Sequence, residues 1–203
     1  MGSRNVIAGL TAAAVAAQGV IAIAQGKSTL LRPPGIQGEK DFASRCVKCG
    51  KCLEACPYKA IEAAGLSAGS GAGSPCIDAR ACACRLCEDF PCVAACPTGA
   101  LRDVKDRYDV HMGYAMIEQN ICLAYAGMRC EVCYRNCPLI DEAITIDFQA
   151  KQGDAIHSLF IPVINPDVCT GCGLCVERCV VDKPRVAIKI ITRGEQERKA
   201  KKN

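Results

Sequence analysis

The chain has 203 residues, enough for one domain or two small ones. Tryptophan is absent and only four phenylalanines and five tyrosines occur, which excludes a core built mainly from aromatic side chains, and eighteen cysteines stand in their place. The formal net charge is +4, but positive residues are dispersed and the one basic run, Arg198-Lys199-Ala200-Lys201-Lys202, is terminal, which excludes a nucleic-acid-binding surface.

From Asn5 to Gly26 no residue is charged, and alanine, valine, isoleucine and glycine dominate. As a helix rising about 1.5 Å per residue the segment is long enough to cross a bilayer, so residues 1–30 are expected to form a single N-terminal transmembrane helix that anchors the chain. Ala22-x-Ala24 resembles a small-residue cleavage site, which keeps a removable export signal as the alternative. Gly9, Ala13, Ala16 and Ala17 place small residues at three- and four-residue intervals, suited to close approach of a partner helix. Arg4 on one side and Lys27 and Arg32 on the other do not decide the orientation. Gly26-Lys27-Ser28 looks like the end of a phosphate-binding loop, but Ile21 stands where its first glycine belongs, and nucleotide binding is rejected. Residues 31–45, opening with Leu31-Arg32-Pro33-Pro34-Gly35, read as a stiff extended linker, because each proline disfavours helix in the residue before it.

Residues 46–192 carry the chemistry. Sixteen of the cysteines fall into four clusters: Cys46-x2-Cys49-x2-Cys52-x3-Cys56-Pro57, Cys84-x2-Cys87-x4-Cys92-x3-Cys96-Pro97, Cys122-x7-Cys130-x2-Cys133-x3-Cys137-Pro138 and Cys169-x2-Cys172-x2-Cys175-x3-Cys179. The first is the bacterial ferredoxin run, in which three close thiolates hold one [4Fe-4S] centre and the fourth ligates another. Four such quartets, starting at near-equal steps along the chain, imply an internal repeat and four [4Fe-4S] clusters. Two-residue gaps let the chain curl around a cube and aim backbone N–H groups at its sulfurs, with Gly50, Gly171 and Gly173 in loops where positive φ carries no steric cost. A zinc ribbon needs two separated Cys-x2-Cys pairs, whereas here three cysteines crowd into seven residues, and four recurrences of one run do not suit a disulfide framework. Four cubanes at about −2 each when oxidised take the loaded protein to roughly −4. Arg45, Lys48, Lys51, Arg85, Arg129, Arg135 and Arg178 lie in or beside the motifs, either to offset that charge or as solvated surface.

The rest of the domain is economical. Short apolar stretches follow the motifs at Ala60-Ile61, Ala100-Leu101 and Ala143-Ile144, and Val186-Ala187-Ile188-Lys189-Ile190-Ile191 reads as a strand. The Gly/Ser/Ala-rich stretch from Gly65 to Pro75 is expected to be a flexible loop, and residues 193–203 a basic disordered tail. Cys76 and Cys82 are left over; Cys82 could replace Cys84 as a ligand, but Cys84 keeps the two-residue gap to Cys87. His111 and His157 lie in no motif, and no Cys-x-x-Cys-His occurs for attached haem. The expected fold is α+β, two ferredoxin-like modules of two [4Fe-4S] clusters each with much loop.

Leu31-Arg32-Pro33-Pro34-Gly35, the run Phe42-Ala43-Ser44-Arg45-Cys46-Val47-Lys48-Cys49-Gly50, Glu88-Asp89-Phe90-Pro91-Cys92, Arg129-Cys130-Glu131-Val132-Cys133-Tyr134-Arg135-Asn136-Cys137-Pro138 and Ile140-Asp141-Glu142-Ala143-Ile144 resemble the NapG/MauM family of ferredoxin-type proteins. The resemblance implies a four-cluster protein on the periplasmic side that works with an integral membrane iron–sulfur partner and passes electrons from quinol toward periplasmic acceptors. Val180 stands where the last Cys-Pro would end, and Ser3-Arg4-Asn5 where a twin-arginine signal would lie. On this reading the chain is an electron-transfer subunit of a membrane-bound oxidoreductase, anchored in the membrane, with no catalytic residues of its own. Its partners are an integral membrane subunit that oxidises quinol or carries iron–sulfur or haem groups, and a redox protein such as a c-type cytochrome or reductase. The alternative is an assembly or maturation factor for a periplasmic reductase; a catalytic subunit is a weaker third.

The two regular motifs match each other and the two irregular ones match each other, so the expected exchange of fourth ligands is nested, as in iron–sulfur subunits of the DMSO-reductase type. Cys46, Cys49 and Cys52 then share a cluster with Cys179, and Cys169, Cys172 and Cys175 with Cys56. Likewise Cys84, Cys87 and Cys92 join Cys137, and Cys122, Cys130 and Cys133 join Cys96.

Overall fold

A computed structural model of the chain describes residues 30–102, 104–151, 153 and 158–200. The expected anchor, residues 1–30, lies outside the described residues except for Leu30, and His157 lies outside them too; among the described residues no helix is long and apolar enough to cross a membrane. Secondary structure is sparse and brief, because the chain bends at each cysteine motif. In chain order the elements are α1 (Glu39–Arg45), α2 (Lys51–Ala55), β1 (Glu62–Ala63), β2 (Pro75–Cys76), α3 (Pro91–Ala94), β3 (Gly113–Ile117), α4 (Val132–Arg135), β4 (Ile144–Ala150), β5 (Ser158–Ile164), α5 (Leu174–Arg178), β6 (Ile188–Thr192) and α6 (Arg193–Ala200). This is a mixed helix and strand architecture.

The strands form three antiparallel pairs. β1 pairs with β2, β4 with β5 in a hairpin that matches Ile144 to Ile164, and β3 with β6, matching Gly113 to Thr192 and Ile117 to Ile188. The last pair joins the segment before the third motif to the segment after the fourth, which closes the second half of the chain on itself. The strand expected around residues 186–191 is therefore β6, shifted by its register against β3. α2 packs on α3 and α4 on α5. The main core gathers Phe42, Leu101, Val110 and Met112 with the cysteines Cys52, Cys56, Cys92 and Cys172.

Three expectations about irregular segments are corrected. Residues 31–45 are not a free linker: Leu31 to Ile36 are buried, Ile77 N donates to Leu31 O at 2.8 Å, and residues 39–45 form α1. Two consecutive prolines hold the chain extended, and extension here serves to lay it into a groove of the fold. Gly65 to Pro75 is an ordered insertion, with a 3-10 turn over Leu66–Gly71, a bond from Gly73 N to Ala64 O at 2.7 Å, and Ser74 buried. Arg32, 4% exposed, donates from Nη1 to Ser74 Oγ at 2.7 Å and to Pro75 O at 2.9 Å, and from Nε to Glu39 Oε1 at 2.9 Å, so a buried cation ties both segments together. The tail is helical through Ala200. Thr192 N donates to Glu195 Oε2 at 2.9 Å while Glu195 N donates to Thr192 Oγ1 at 3.3 Å, a reciprocal capping box. Arg193 then secures α6 by donating to Ile36 O and Gln37 O at 3.2 and 2.8 Å.

Candidate metal centres

Each quartet is built by the same local device. The third cysteine rides on a one-turn helix (Cys52 on α2, Cys92 on α3, Cys133 on α4, Cys175 on α5), which turns its thiol back toward the preceding loop. In the first, second and fourth motifs the residue before the second cysteine has positive φ: Lys48 at 56°, Leu86 at 51° and Gly171 at 73°. Glycine adopts this conformation freely; Lys48 and Leu86 adopt it at a cost that the rest of the site must offset. Gly50 and Gly173, at 79° and 87°, start α2 and α5 in the same way. The positive φ expected of glycines is present, while Lys48 and Leu86 carry no composition signal that would have announced it. The long gap of the second motif is taken up by Phe90, at φ 40°, before Pro91 opens α3. That of the third is a knot of turns, with Ala126 N bonded to Cys122 O at 3.0 Å and Met128 N to Leu123 O at 3.0 Å.

The fourth cysteine of each motif lies with the first three of the consecutive motif, an arrangement that does not fit the nested pairing. Cys46, Cys49, Cys52 and Cys96 line one pocket, closed by Phe42, Ala100 and Leu101. Cys137 lines another together with Cys169, Cys172 and Cys175, with Cys133 at its wall. The electrostatics identify the same neighbours and the other two groups. Burial pushes the Cys52 thiol up to about 11, with Cys46, Cys96 and Cys49 adding like charge. Burial, then the adjacent Cys56, pushes Cys92 up to about 12, and Cys56 also acts on Cys87. Cys133 is raised to about 12 by burial first, and then by Cys122, Cys130 and Cys179. The structure thus brings together Cys46, Cys49, Cys52 and Cys96; Cys84, Cys87, Cys92 and Cys56; Cys122, Cys130, Cys133 and Cys179; and Cys169, Cys172, Cys175 and Cys137. Motif regularity was the wrong criterion for the pairing. All four motifs end in the same Cys-x3-Cys helix, and only that last cysteine crosses over, so any two motifs match. Chain proximity then decides, because packing α2 on α3 and α4 on α5 closes shorter loops.

These residues fit an iron–sulfur cube. The donors are thiols alone, spread around a volume, and among the described residues no three His, Cys, Asp or Glu converge as a single ion requires; tetrahedral zinc at about 2.3 Å from each sulfur would draw its ligands to about 3.8 Å from one another. Backbone donors already point at sulfur: Ala60 N to Cys56 Sγ, Leu101 N to Cys96 Sγ and Ala115 N to Cys169 Sγ, each at 3.4 Å. At Cys96, burial raises the pKa, but the N–H groups of Leu101 and Thr98 outweigh it and the thiol ends below its ordinary value. Most of the arginines beside the motifs have carboxylate partners: Arg45 with Asp41 at 2.8 Å, Arg85 with Glu177 at 2.9 Å, and Arg129 with Glu131 at 2.9 Å, while Arg135 shares the same Glu131. Their charge is therefore partly spent before any centre is considered. Of the leftover cysteines, Cys76 is buried in β2, and Cys82 donates to Tyr58 O at 3.5 Å while Cys84 takes the place in the quartet. His111 lines a polar pocket with Asp167, Arg193 and Glu197 beside Cys169, outside every quartet.

The 4Fe-4S dicluster domain family matches the chain twice, over residues 45–124 and 128–183. The first match covers the first two motifs and reaches Cys122, and the second covers the other cysteines of the third motif and the whole of the fourth. Ferredoxin-type protein NapG of Escherichia coli (strain K12) is 45% identical over 170 residues, 83% of this chain and 73% of that protein. Methylamine utilization ferredoxin-type protein MauM of Methylorubrum extorquens is 40% identical over 171 residues, 83% of this chain and 76% of that one. Ferredoxin-type protein NapF of Escherichia coli (strain K12) is more distant, at 28% over 152 residues, 74% of this chain and 80% of that one. No solved structure matches. With thiol quartets arranged for [4Fe-4S] clusters and this likeness over most of its length, the chain belongs to the NapG/MauM group of ferredoxin-type iron–sulfur proteins, whose work is electron transfer.

Proposed function

We propose that the chain is the electron-relay subunit of a membrane-bound oxidoreductase complex, holding four [4Fe-4S] clusters, one per quartet, on the periplasmic side. It relays electrons between a quinone-linked integral membrane subunit and a redox protein such as a c-type cytochrome or reductase. The observation that carries this reading is the arrangement of sixteen cysteines as two exchanged pairs of quartets within one continuous body. When bound, each cluster supplies a one-electron couple. The chain's own residues do the rest. Cysteine thiolates fix position, and the crossed ligands Cys56, Cys96, Cys137 and Cys179 lock each pair at one spacing. Phe42, Leu101 and Ala100 keep water from the first pocket, and Ile144 and Ile190 from the fourth. The N–H groups of Ala60, Leu101 and Ala115 stabilise thiolate charge and so raise the local potential. The uncharged stretch before Gly26 supports the membrane anchor.

The test is iron and acid-labile sulfide in anaerobically purified protein, roughly sixteen of each per chain for four cubanes. Half of that, or stoichiometric zinc, refutes four clusters. Membrane vesicles of known sidedness supply the rest: external quinol reduces the clusters only with the membrane partner present, and protease added from the periplasmic face removes residues 46–192. Protection from that face refutes the location.

A further inference from the structure

Beside the Arg193 contacts to Ile36 and Gln37, the two cluster-binding halves meet at a seam formed by residues 78–87 of the first and 169–179 of the second. Asp78 Oδ1 accepts from Arg80 N at 2.9 Å and Ala81 N at 3.3 Å and sets the turn on the first side. Arg80 Nη1 then donates to Val176 O, Glu177 O and Cys179 O at 2.9, 3.1 and 2.9 Å, at the C-terminal end of α5, where Val176 O also accepts from Cys179 N at 3.4 Å. Glu177 reaches back across the seam: Oε2 accepts from Ala83 N at 2.8 Å and Oε1 from Arg85 Nη2 at 2.9 Å. Between these contacts Cys84 N donates to Cys172 O at 3.0 Å. At Gly173 an added Cβ would stand 2.5 Å from Ala79 Cβ, so the two segments touch with no room for a side chain.

We propose that this clasp is the electron bridge between the halves, so that the centres conduct in the spatial order first quartet, second, fourth, third, and not in chain order. The inference rests on reading the quartets as cluster sites. Tunnelling falls off steeply across unbonded gaps, and the Cys84–Cys172 hydrogen bond joins the backbone of a ligand in the second quartet to that of a ligand in the fourth. Inside each half the connection is covalent: α2 carries Cys52 of the first quartet into Cys56 of the second, and α5 carries Cys175 of the fourth into Cys179 of the third. The first and third quartets are thereby the two ends of the path, and both reach the surface, at the exposed Cys49 and beside the exposed Met128. With clusters bound, one electron would cross at a time, the inner centre on one side being oxidised as that on the other is reduced, with no bond broken and no proton moved, after the redox partner at one end has reduced the centre there. Arg80, Glu177 and Arg85 are positioning residues, which hold the seam shut without ligating.

The experiment combines Arg80→Gln and Glu177→Gln in the full-length protein loaded with iron, reduced with dithionite and read by EPR for magnetic interaction between neighbouring reduced centres. The wild-type protein is expected to show an interaction between the halves in addition to one within each. The double variant is expected to keep wild-type iron and sulfide, keep the interactions within halves and lose the one between them. A wild-type spectrum from the fully loaded variant overturns the bridge, as does a wild-type protein with no interaction between halves. Wild-type protein that fails to load four clusters refutes the underlying reading instead. If the double variant does not load, amide exchange in the wild-type holoprotein decides: Ala83 and Cys84 are expected to exchange slowly, and fast exchange at both overturns the clasp.

Discussion

Replacing Cys96 with alanine separates ligand exchange between consecutive motifs, which the grouping of thiols favours, from the nested exchange. Cys96 lies with Cys46, Cys49 and Cys52 around the pocket beneath Phe42 and Leu101. Each quartet accounts for about four of roughly sixteen irons, so Cys96→Ala and Cys46→Ala should each cost about four. Because both changes empty the same site, the double variant Cys46→Ala/Cys96→Ala should also cost about four, not eight; residues acting on one site are non-additive and residues on separate sites add. Cys96→Ala with Cys122→Ala touches two sites and should cost about eight. Cys96 is half-buried, so alanine leaves little void and packing loss should not mask the result. The assay is iron and acid-labile sulfide per chain after anaerobic purification, normalised by amino-acid analysis. A loss of eight in the Cys46/Cys96 pair together with four in the Cys96/Cys122 pair would restore nested exchange. Complete iron loss in every single variant would refute the independence of the quartets.

Phe42→Ala removes a ring that is 1% exposed, lies under the Arg32 guanidinium at 4.7 Å and closes the first pocket; it should cost about 3–5 kcal/mol, read as an earlier anaerobic thermal loss of visible cluster absorption. Arg32→Met leaves Glu39 and Ser74 without their cation and should cost about 3 kcal/mol by the same assay, whereas an unchanged midpoint would show that the buried tie contributes nothing. Gly171→Ala combines φ 73° with a Cβ placed 2.7 Å from Gly113 N, so the fourth quartet should fail and iron should drop by about a quarter while the first pair stays loaded. Stripping iron with oxidant and chelator should abolish cooperative unfolding measured by circular dichroism, since Cys52, Cys56, Cys92 and Cys172 are members of the core; a retained sharp transition would contradict that.

By itself the sequence determined the chemistry of this protein. Cysteine spacing is a local property, the short gaps of the motifs keep their thiols around one small volume, and the Cys-Pro endings and Gly171 and Gly173 mark the bends that such loops need. The α+β character, the strand near residue 188 and the family likeness were legible for the same reason. The capping box Thr192-x-x-Glu195 was also present to be read, and it outweighed the basic composition that suggested a disordered tail. Burial of Leu31 to Ile36 was not legible, because an extended Pro-Pro segment looks alike whether it crosses solvent or fills a groove. The order of Gly65 to Pro75 depends on Arg32, more than thirty residues away in the chain, reaching Ser74 and Pro75. Exchange of the fourth ligands was decided only in three dimensions. Every motif offers the same terminal cysteine on the same short helix, so the motifs themselves are interchangeable, and the choice among partners falls to helix packing and to the shorter loops that consecutive motifs close.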